Sequence, residues 1–392
     1  MLLKTPEIKA SLVDRVLALV KEKLPPRQAL LAGRFVVQYY GQVDADDLAE
    51  RGVEDLYGAA LAHFHFANKF TTGAPKVRVY NPSLEEHGWR STHTVIEIVN
   101  DDMPFLVDSI TMEVNRHGLT LHLFLHPQIK TVRDAQGELK DLPAPETGST
   151  EGLESIMHVE VDRQTGTALE TLREDILRVL SDVRVAVQDW AKMRQAMLDV
   201  VDGLAKAPPA LLDAAETGEA REFLQWLAQE HFTFLGVRDY DLVSENGEDR
   251  LKAVPGSGLG ILREKGGDPV SASLAALPPE ARAAARKPEL FIITKANSRA
   301  TVHRPGYHDY VGVKRFDAKG QVTGERRFIG LYTSTAYSAS PWDIPLLRRK
   351  VSGVMKRAGF LPRSHMGKTL MAILETYPRD ELFQIAEEAL FH

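Results

Sequence analysis

The residues of this sequence that are best suited to binding chemistry lie at one strand-to-helix turn. Asp101 and Asp102 end a predicted strand, and Pro104 stands where a helix is predicted to begin. The start of a helix presents free backbone N–H groups and the positive end of the helix dipole, which suit a carboxylate ligand. The two aspartates weaken that attraction by their own charge, and both are of a type that caps helices. We therefore favour helix capping here and keep ligand binding as the alternative.

Five histidines raise the alternative of a metal site. His122 and His126 are predicted to share one face of a strand near His117, and His63 and His65 form a second pair. The carboxylates needed to complete either ligand set are not spaced around them at helical or strand intervals. We predict structural or solvated roles for all five and no metal site.

The sequence offers no complete catalytic motif. Gly256–Gly260 has the wrong spacing for a dinucleotide-binding loop and follows a proline, so a tight turn is the better interpretation. Gly367–Thr369 lacks the leading glycine of a phosphate-binding loop, because Pro362 stands at that position. The hydroxyl-rich run Ser334–Ser340 has no glycine elbow, and such hydroxyls commonly bond to nearby backbone. We predict no catalytic residue in this segment.

Composition excludes several classes of protein. The chain has 392 residues, a formal net charge of -6 at pH 7 and no cysteine. The acidic balance argues against a basic nucleic-acid-binding surface, and the lack of cysteine removes disulfides and thiolate metal sites. No apolar run is long enough for a membrane-spanning helix. We expect a cytoplasmic protein of two or three domains, without nucleic-acid or membrane partners.

The elements around the acidic turn predict a particular sheet. They are, in order, a strand Thr92–Val99, a helix Pro104–Asn115, a strand Leu119–Val132, a strand Ile156–Val161 and a helix Thr167–Trp190. This β-α-β-β-α order is the split βαβ plan, an antiparallel sheet covered on one face by two helices. Its last strand is not evident downstream, and Val77–Tyr80 is the candidate for the missing edge.

Helices precede this unit and a second α+β domain follows it. Helical stretches begin at Thr5, Pro26 and Val53, and a boundary is predicted near Pro208. The later strands are predicted at Phe232–Tyr240, Leu259–Arg263, Leu290–Lys295, Tyr310–Phe316 and Glu325–Tyr332, and the later helices at Ile344–Ala358, Lys368–Glu375 and Asp380–Leu390. A hairpin turn is predicted at Asp317–Gly320. The predicted fold class is α+β.

Several of these segments carry a family resemblance. They are Asp102–Glu113, Asn115–Leu119, His126-Pro127, Arg327–Tyr337, Ile344–Val351 and Leu374–Phe383. In sequence and order they resemble the N-terminal region of the large bacterial NAD-specific glutamate dehydrogenases, and they span nearly the whole chain. The resemblance implies a helical segment at residues 1–72, an ACT-like domain at 73–200, a PAS-like domain at 201–365 and the start of a further helical or ACT-like region at 366–392.

The resemblance also implies that catalysis and regulation lie in different parts of a longer protein. The full-length protein would convert L-glutamate, NAD and water to 2-oxoglutarate, ammonium and NADH, with NAD and the catalytic groups held by polypeptide outside this segment. The segment itself would be non-catalytic and would serve regulation and oligomer assembly. Its implied partners are the rest of its own chain, further copies in a homo-oligomer and an amino-acid effector.

ACT domains commonly bind amino acids at the first strand-to-helix turn, in a pattern of Asp, a variable residue, Pro, Gly and Leu. This sequence keeps Asp102, Pro104 and Leu106 and has Phe105 where the glycine belongs. The resemblance therefore implies an effector site made of the following residues: Asp101, Asp102, Met103, Pro104, Phe105 and Leu106. The other functional hypotheses are an amino-acid sensor module and, more remotely, a PAS-type sensor that holds haem or flavin.

Overall fold

The computed structural model describes residues 5–144, 152–245, 248–264 and 286–392. They form two compact units. The first is Met1–Arg184 together with Thr301–Arg304, and the second is Val185–Ala300 together with Pro305–His392. Each unit is described separately below. The predicted four-part division at residues 72, 200 and 365 stays a prediction.

The first unit begins with a helical group. Its helices are α1 (Thr5–Lys23), α2 (Pro26–Tyr39), α3 (Ala45–Ala49) and α4 (Val53–Ala67). Pro26 occupies the first turn of α2, where its fixed φ is compatible with a helix and its missing N–H costs nothing. The three predicted helical stretches are confirmed, and the short α3 was not predicted.

An antiparallel sheet follows the helical group. The remaining elements of the unit are β1 (Lys76–Tyr80), α5 (Leu84–His87), β2 (Thr94–Asp101), α6 (Leu106–Arg116), β3 (Leu121–Leu125), β4 (Gln128–Lys130), β5 (Val132–Arg133), β6 (Leu139–Asp141), β7 (Leu153–Val161) and α7 (Thr167–Lys206), whose residues up to Arg184 belong to this unit. The strand order is β1-β2-β7-β3, and β4 also pairs with β7. The split βαβ plan is confirmed, and β1 supplies the missing edge beside β2, as predicted.

Two predictions about this sheet are wrong. The single strand predicted at Leu119–Val132 is divided into β3, β4 and β5, and the first break falls at Pro127, which has no N–H to donate. The sheet is also covered on both faces, because β2 side chains of either orientation, such as Ile98 and Val99, are fully buried. Val99 packs in one core cluster with residues of α1, α2 and α4.

The second unit is a separate α+β arrangement. Its elements after α7 are α8 (Ala214–Trp226), a π-type turn (Leu227–His231), β8 (Phe232–Glu245), β9 (Glu248–Ala253), β10 (Leu259–Gly260), β11 (Phe291–Arg299), β12 (Tyr307–Phe316), β13 (Val322–Tyr332), α9 (Ser334–Ser338), α10 (Leu347–Arg357), α11 (His365–Thr376), α12 (Arg379–Gln384) and α13 (Glu387–Phe391). The sheet order is β10-β8-β13-β12-β11, with β9 on β8, and every pairing is antiparallel. The α+β class is confirmed for both units.

Of the turn and the short strand predicted in the second unit, the turn is confirmed and the strand is confirmed only in part. The turn Asp317–Gly320 joins β12 and β13, with Gly320 at a φ of 75° and its N–H bonded to the Asp317 carbonyl at 3.0 Å. The strand predicted at Leu259–Arg263 covers only two residues. In the parts of the chain that the structure describes, no helix is long and apolar enough to cross a membrane.

Candidate functional site

Asp101 lies at the end of β2 and is held by two donors. The Gly73 N–H donates to Asp101 Oδ2 at 2.8 Å, and Arg184 Nη1 donates to the same oxygen at 2.6 Å. Arg184 Nη2 also donates to Asn100 Oδ1 at 2.6 Å. Asp101 therefore ties the strand end to α7 through a charge-assisted bond.

Asp102 faces a different set of groups. It accepts from Ser155 Oγ at 2.6 Å and from Gln128 Nε2 at 3.0 Å, and His126 Nε2 lies 2.9 Å from the same Ser155 hydroxyl. The Asp102 N–H still pairs with the Leu153 carbonyl at 3.1 Å. Asp102 is therefore part of the sheet's hydrogen-bond pattern.

The prediction that an aspartate caps α6 is wrong. The residue at the N-cap position is Phe105, and no side chain caps the helix there. The physical reason is that β2 and its pairing continue through Asp101 and Asp102, so both carboxylates lie before the turn. Met103 and Pro104 connect strand and helix, and Leu106 is buried at the first helical position.

Phe105 adopts a backbone conformation that favours glycine. Its φ is 73° and its ψ is 1°, in the left-handed region where a β-carbon is unfavourable. This is the position at which the ACT pattern has glycine. The Phe105 ring lies 5.0 Å, centroid to centroid, from the ring of His303, and the His303 N–H donates to Ser109 Oγ at 3.0 Å. The turn is thus covered by a distant piece of the chain, which sequence reasoning missed.

The sequence also did not reveal a buried polar network on the face of the sheet that meets α2 and α4. His63, Glu97 and His158 are almost completely buried, and one ligand-type atom of each lies within 4.8 Å of the others. His158 Nε2 is 3.1 Å from Glu160 Oε1, and Arg51 donates to both Glu160 oxygens at 2.6 and 3.0 Å. Glu97 and Glu160 alternate with apolar residues in otherwise buried strands, and that pattern was the available signal.

Groups of the protein itself bond to most of the potential metal-ligand atoms in this network. Tyr39 Oη is 3.1 Å from His63 Nδ1, and the other ring nitrogen is 3.3 Å from the Ile98 carbonyl. Arg78 and Tyr80 both donate to Glu97. His158 Nδ1 is buried and has no hydrogen-bond partner among the described residues. The bonds to His63, Glu97 and Glu160 are all made by groups of the protein itself, so we assign the network a structural role.

The titratable groups of this network differ in charge state. Burial lowers the pKa of His63 to about 4, and the nearby Glu97 charge offsets only part of that effect. Burial alone would raise the pKa of Glu160, but hydrogen bonds from His158 and Arg51 outweigh it and hold that pKa well below its usual range. In the folded unit at neutral pH, His63 is therefore neutral and Glu160 is charged.

Two more of the five histidines, His122 and His117, also bond to protein groups. His122 Nε2 lies 2.8 Å from Asp162 Oδ1, and its ring stacks on His93 at 4.1 Å. His117 Nε2 lies 3.0 Å from Asp175, whose carboxylate also accepts from Arg178 at 2.9 Å. Carboxylates already neutralised by arginine are poor candidates for a cation.

The second unit contains several ion pairs with a buried carboxylate, and one of them forms a cluster around Asp309. Lys295 Nζ donates to Asp309 Oδ1 at 2.5 Å and lies 2.8 Å from Asp380 Oδ2. The Tyr332 N–H donates to Asp309 Oδ2 at 2.9 Å. Burial raises the pKa of Asp309, and these two donors offset the effect only in part. The cluster joins β11, β12 and α12.

The described residues do not form a nicotinamide-dinucleotide cradle at the glycine-rich string. Gly256–Gly260 leads into β10 and not into a helix, and Gly256 has a φ of 74°. A β-carbon on Gly258 would lie 2.3 Å from the Leu262 carbonyl oxygen. The string is a tight turn, as predicted.

The first unit also has an open apolar groove of about 1040 Å³. It lies along α1 and α2 and residues 141–144, and its lining includes Leu17, Leu30, Val37 and Leu142. Leu30 and Val37 are more than half exposed. The groove offers apolar contact and little polar chemistry.

Comparison with protein families gives the class of the first unit. Residues 35–176 match the family described as "Glutamate dehydrogenase, ACT1 domain". Residues 344–392 match "Glutamate dehydrogenase, helical motif 1". The sheet and turn described above are therefore those of an ACT-type domain.

The chain is also similar to individual proteins over nearly its whole length. The chain is 42% identical over 386 residues to the NAD-specific glutamate dehydrogenase of Halomonas elongata. That alignment covers 98% of this chain and 24% of the relative. The chain is 40% identical over 359 residues to the NAD-specific glutamate dehydrogenase of Pseudomonas aeruginosa, an alignment that covers 91% of this chain and 22% of the relative. It is 24% identical over 334 residues to the protein of the same name from Mycobacterium tuberculosis, which gives coverages of 84% of this chain and 19% of the relative. The chain is a homologue of the N-terminal region of the NAD-specific glutamate dehydrogenases, and it spans about a quarter of the length of the first of these relatives.

Proposed function

We propose that this chain is the regulatory and oligomer-building region of an NAD-dependent glutamate dehydrogenase. The whole protein would convert L-glutamate, NAD and water to 2-oxoglutarate, ammonium and NADH. The observation that carries the proposal is the pattern of similarity, which covers 98% of this chain but only 24% of the relative. The matching segment includes an ACT domain.

The chemistry of the described residues supports this division. The buried carboxylates Glu97 and Glu160 are bonded to arginine, tyrosine and histidine, so they are not placed as a free general base. The glycine-rich string is a turn before a strand. We propose that NAD and the hydride transfer belong to polypeptide outside this segment.

The proposed regulatory element is the turn Asp101–Leu106. Its acidic residues link β2 to α7 and to β4 and β7, so a change at the turn reaches both the sheet and the helix. For the second unit we propose a PAS-like domain, which is supported by its antiparallel sheet with flanking helices. The remainder of the same polypeptide and further copies of the chain are the proposed partners.

An activity comparison tests the proposal. We expect the purified 392-residue chain to give no glutamate-dependent NADH absorbance, while the full-length protein gives turnover under the same conditions. Circular dichroism verifies that the 392-residue chain is folded. NADH formation by the folded 392-residue chain would refute the assignment of catalysis to the rest of the protein.

A full-length variant tests the regulatory role of the turn. Asp102→Ala removes the acceptor of Ser155 and Gln128, and we expect it to change the glutamate concentration dependence while kcat stays within roughly twofold. Asp14→Ala, at an exposed position on α1, is the matched control. Equal concentration dependence in both variants and in the parent would contradict a regulatory role for the turn.

A further inference from the structure

Four residues between β11 and β12 belong to the first unit. These are Thr301–Arg304, here called the strap. Their chain neighbours on both sides, Ala300 and Pro305, belong to the second unit. The strap is the piece of chain that covers the start of α6.

Hydrogen bonds and a buried side chain hold the strap in place. The Thr301 hydroxyl donates to Asp182 Oδ2 at 2.8 Å, and the His303 N–H donates to Ser109 Oγ at 3.0 Å. Between them the Val302 side chain is fully buried. The strap therefore contacts the first turn of α6 through Ser109 and contacts α7 through Asp182. The first backbone N–H groups of a helix lack intrahelical acceptors.

The contact is made by two residues in strained conformations. Phe105 has a φ of 73° and His303 a φ of 75°, and both are non-glycine residues in the left-handed region. Their ring centroids lie 5.0 Å apart, with the ring planes tilted by 49°. Strain of this kind persists only where the surroundings impose it, so separation of the two residues would release it.

The strap buries fewer apolar side chains than α6. Its contacts include the two hydrogen bonds, the ring contact and His303 Nδ1 at 3.8 Å from Asp108 Oδ2, and Val302 is its fully buried apolar side chain. By contrast, α6 buries Leu106, Ile110 and Val114 in the body of the unit. Segments with few buried apolar side chains open at a lower free energy than the core beneath them.

We propose that the strap Thr301–Arg304 is a displaceable internal occupant of the ACT turn. When the strap is closed, the turn binds the chain's own backbone through Ser109. When it is open, Ser109 Oγ and the first N–H groups of α6 become accessible. This inference rests on the proposed regulatory function, because it names the segment that controls access to the regulatory turn.

The absence of cysteine from the sequence allows a direct test. Val302→Cys in the full chain places a single thiol on the strap, and Val114→Cys places one in α6; both positions are fully buried. We expect N-ethylmaleimide to modify Cys at position 302 at least roughly tenfold faster than at position 114 under native conditions, because only the strap opens locally. Equal rates would show that the strap opens only when the unit unfolds, and would overturn the proposal.

A second pair of variants tests the contacts that close the strap. Phe105→Ala removes the ring contact and keeps a β-carbon at the left-handed position, and Thr301→Val removes the hydroxyl bond with little change of shape. In the Val302→Cys background we expect each to raise the labelling rate several-fold without lowering Tm by more than a few degrees. Thr171→Val, which removes a hydroxyl bond to the Thr167 carbonyl on exposed α7, is the control and should leave the rate unchanged.

The outcome is independent of the activity test. The labelling rates are measured without glutamate or NAD, so turnover by the 392-residue chain would not affect them. If neither Phe105→Ala nor Thr301→Val changes the labelling rate, the strap is a fixed part of the first unit and the proposal is wrong.

Discussion

Glu160 in the first unit and Asp309 in the second are both buried carboxylates on central strands, yet their pKa values move in opposite directions. Each is at most 1% exposed. The pKa of Glu160 is held well below its usual range, whereas that of Asp309 is raised. Burial acts in the same direction on both, so the difference comes from their partners.

The partners differ in number and in kind. Glu160 accepts two bonds from the Arg51 fork and one from His158, and His93 Nδ1 lies 3.2 Å away. Asp309 accepts one bond from Lys295 and one backbone N–H, while the nearby Asp380 charge adds to the increase in its pKa. A planar arginine fork can satisfy a buried carboxylate that a single lysine cannot.

The largest expected effect is that of Glu160→Gln. It leaves Arg51 and His158 without their carboxylate, and removal of one partner of a buried ion pair typically costs roughly 4 kcal/mol. The loss of stability is measured by urea unfolding of the first unit. Unfolding is monitored through the fluorescence of Trp89 in a variant whose other tryptophans are Phe. A loss below about 1 kcal/mol would show that the network contributes little to stability.

Acid should weaken the first unit through His63. A pKa of about 4 in the folded unit lies below the value near 6.5 in the unfolded chain. The stability that a neutral buried His63 contributes is present above pH 6.5 and is lost as the pH falls towards 4. The loss amounts to roughly 3 kcal/mol.

The measurement for His63 is the free energy of unfolding of the first unit between pH 7 and pH 4. His63→Gln keeps a polar group in place but does not titrate, so the slope over this range should become smaller. His126, whose pKa is also lowered by burial, acts in the same direction and remains in both proteins. An unchanged slope in His63→Gln would assign the pH dependence to other groups.

The smallest effect is expected from Asp309→Asn. Because the pKa of Asp309 is raised, its charged form is already disfavoured in the fold, and a neutral isostere should change stability at pH 7 by less than about 1 kcal/mol. The sign of the pH effect is opposite to that of Glu160. The stability linked to Asp309 is present at low pH and is lost as the pH rises through the raised pKa.

The contrast between Asp309 and Glu160 is tested by unfolding the second unit at pH 4 and at pH 7. Unfolding is monitored through the fluorescence of Trp226. The parent should lose stability between these values at Asp309, and Asp309→Asn should lose less. A loss at pH 7 as large as that of Glu160→Gln would remove the difference between the two carboxylates.

Much of the fold around the turn could be predicted from local pattern. The alternation in Thr92–Val99, the break at the acidic residues and the helix that ends before Gly118 gave the split βαβ plan, and Val77–Tyr80 was identified as its edge strand. These signals are local because strands and helices repeat with fixed periods. The division of Leu119–Val132 was missed although Pro127 is a local signal for the first break. The second break could not be predicted from local pattern, because β5 pairs with β6 while β4 pairs with β7.

The site could be predicted only in part. The departure of Phe105 from the glycine of the ACT pattern pointed to an unusual turn, and its left-handed backbone shows why glycine is usual there. Capping by Asp101 or Asp102 was the wrong interpretation, because both residues remain paired in the sheet. Sequence alone gave no signal for the residue that covers the turn.

By itself, the sequence determined the order of elements, the α+β class, the exclusion of thiol chemistry and the family resemblance, since each depends on residue type and short spacing. The tertiary structure decided which carboxylates are buried with arginine and which segment closes the turn. Ser109 and His303 are 194 positions apart. Contacts over such separations leave no periodic trace in the chain, because they arise only when the whole unit packs.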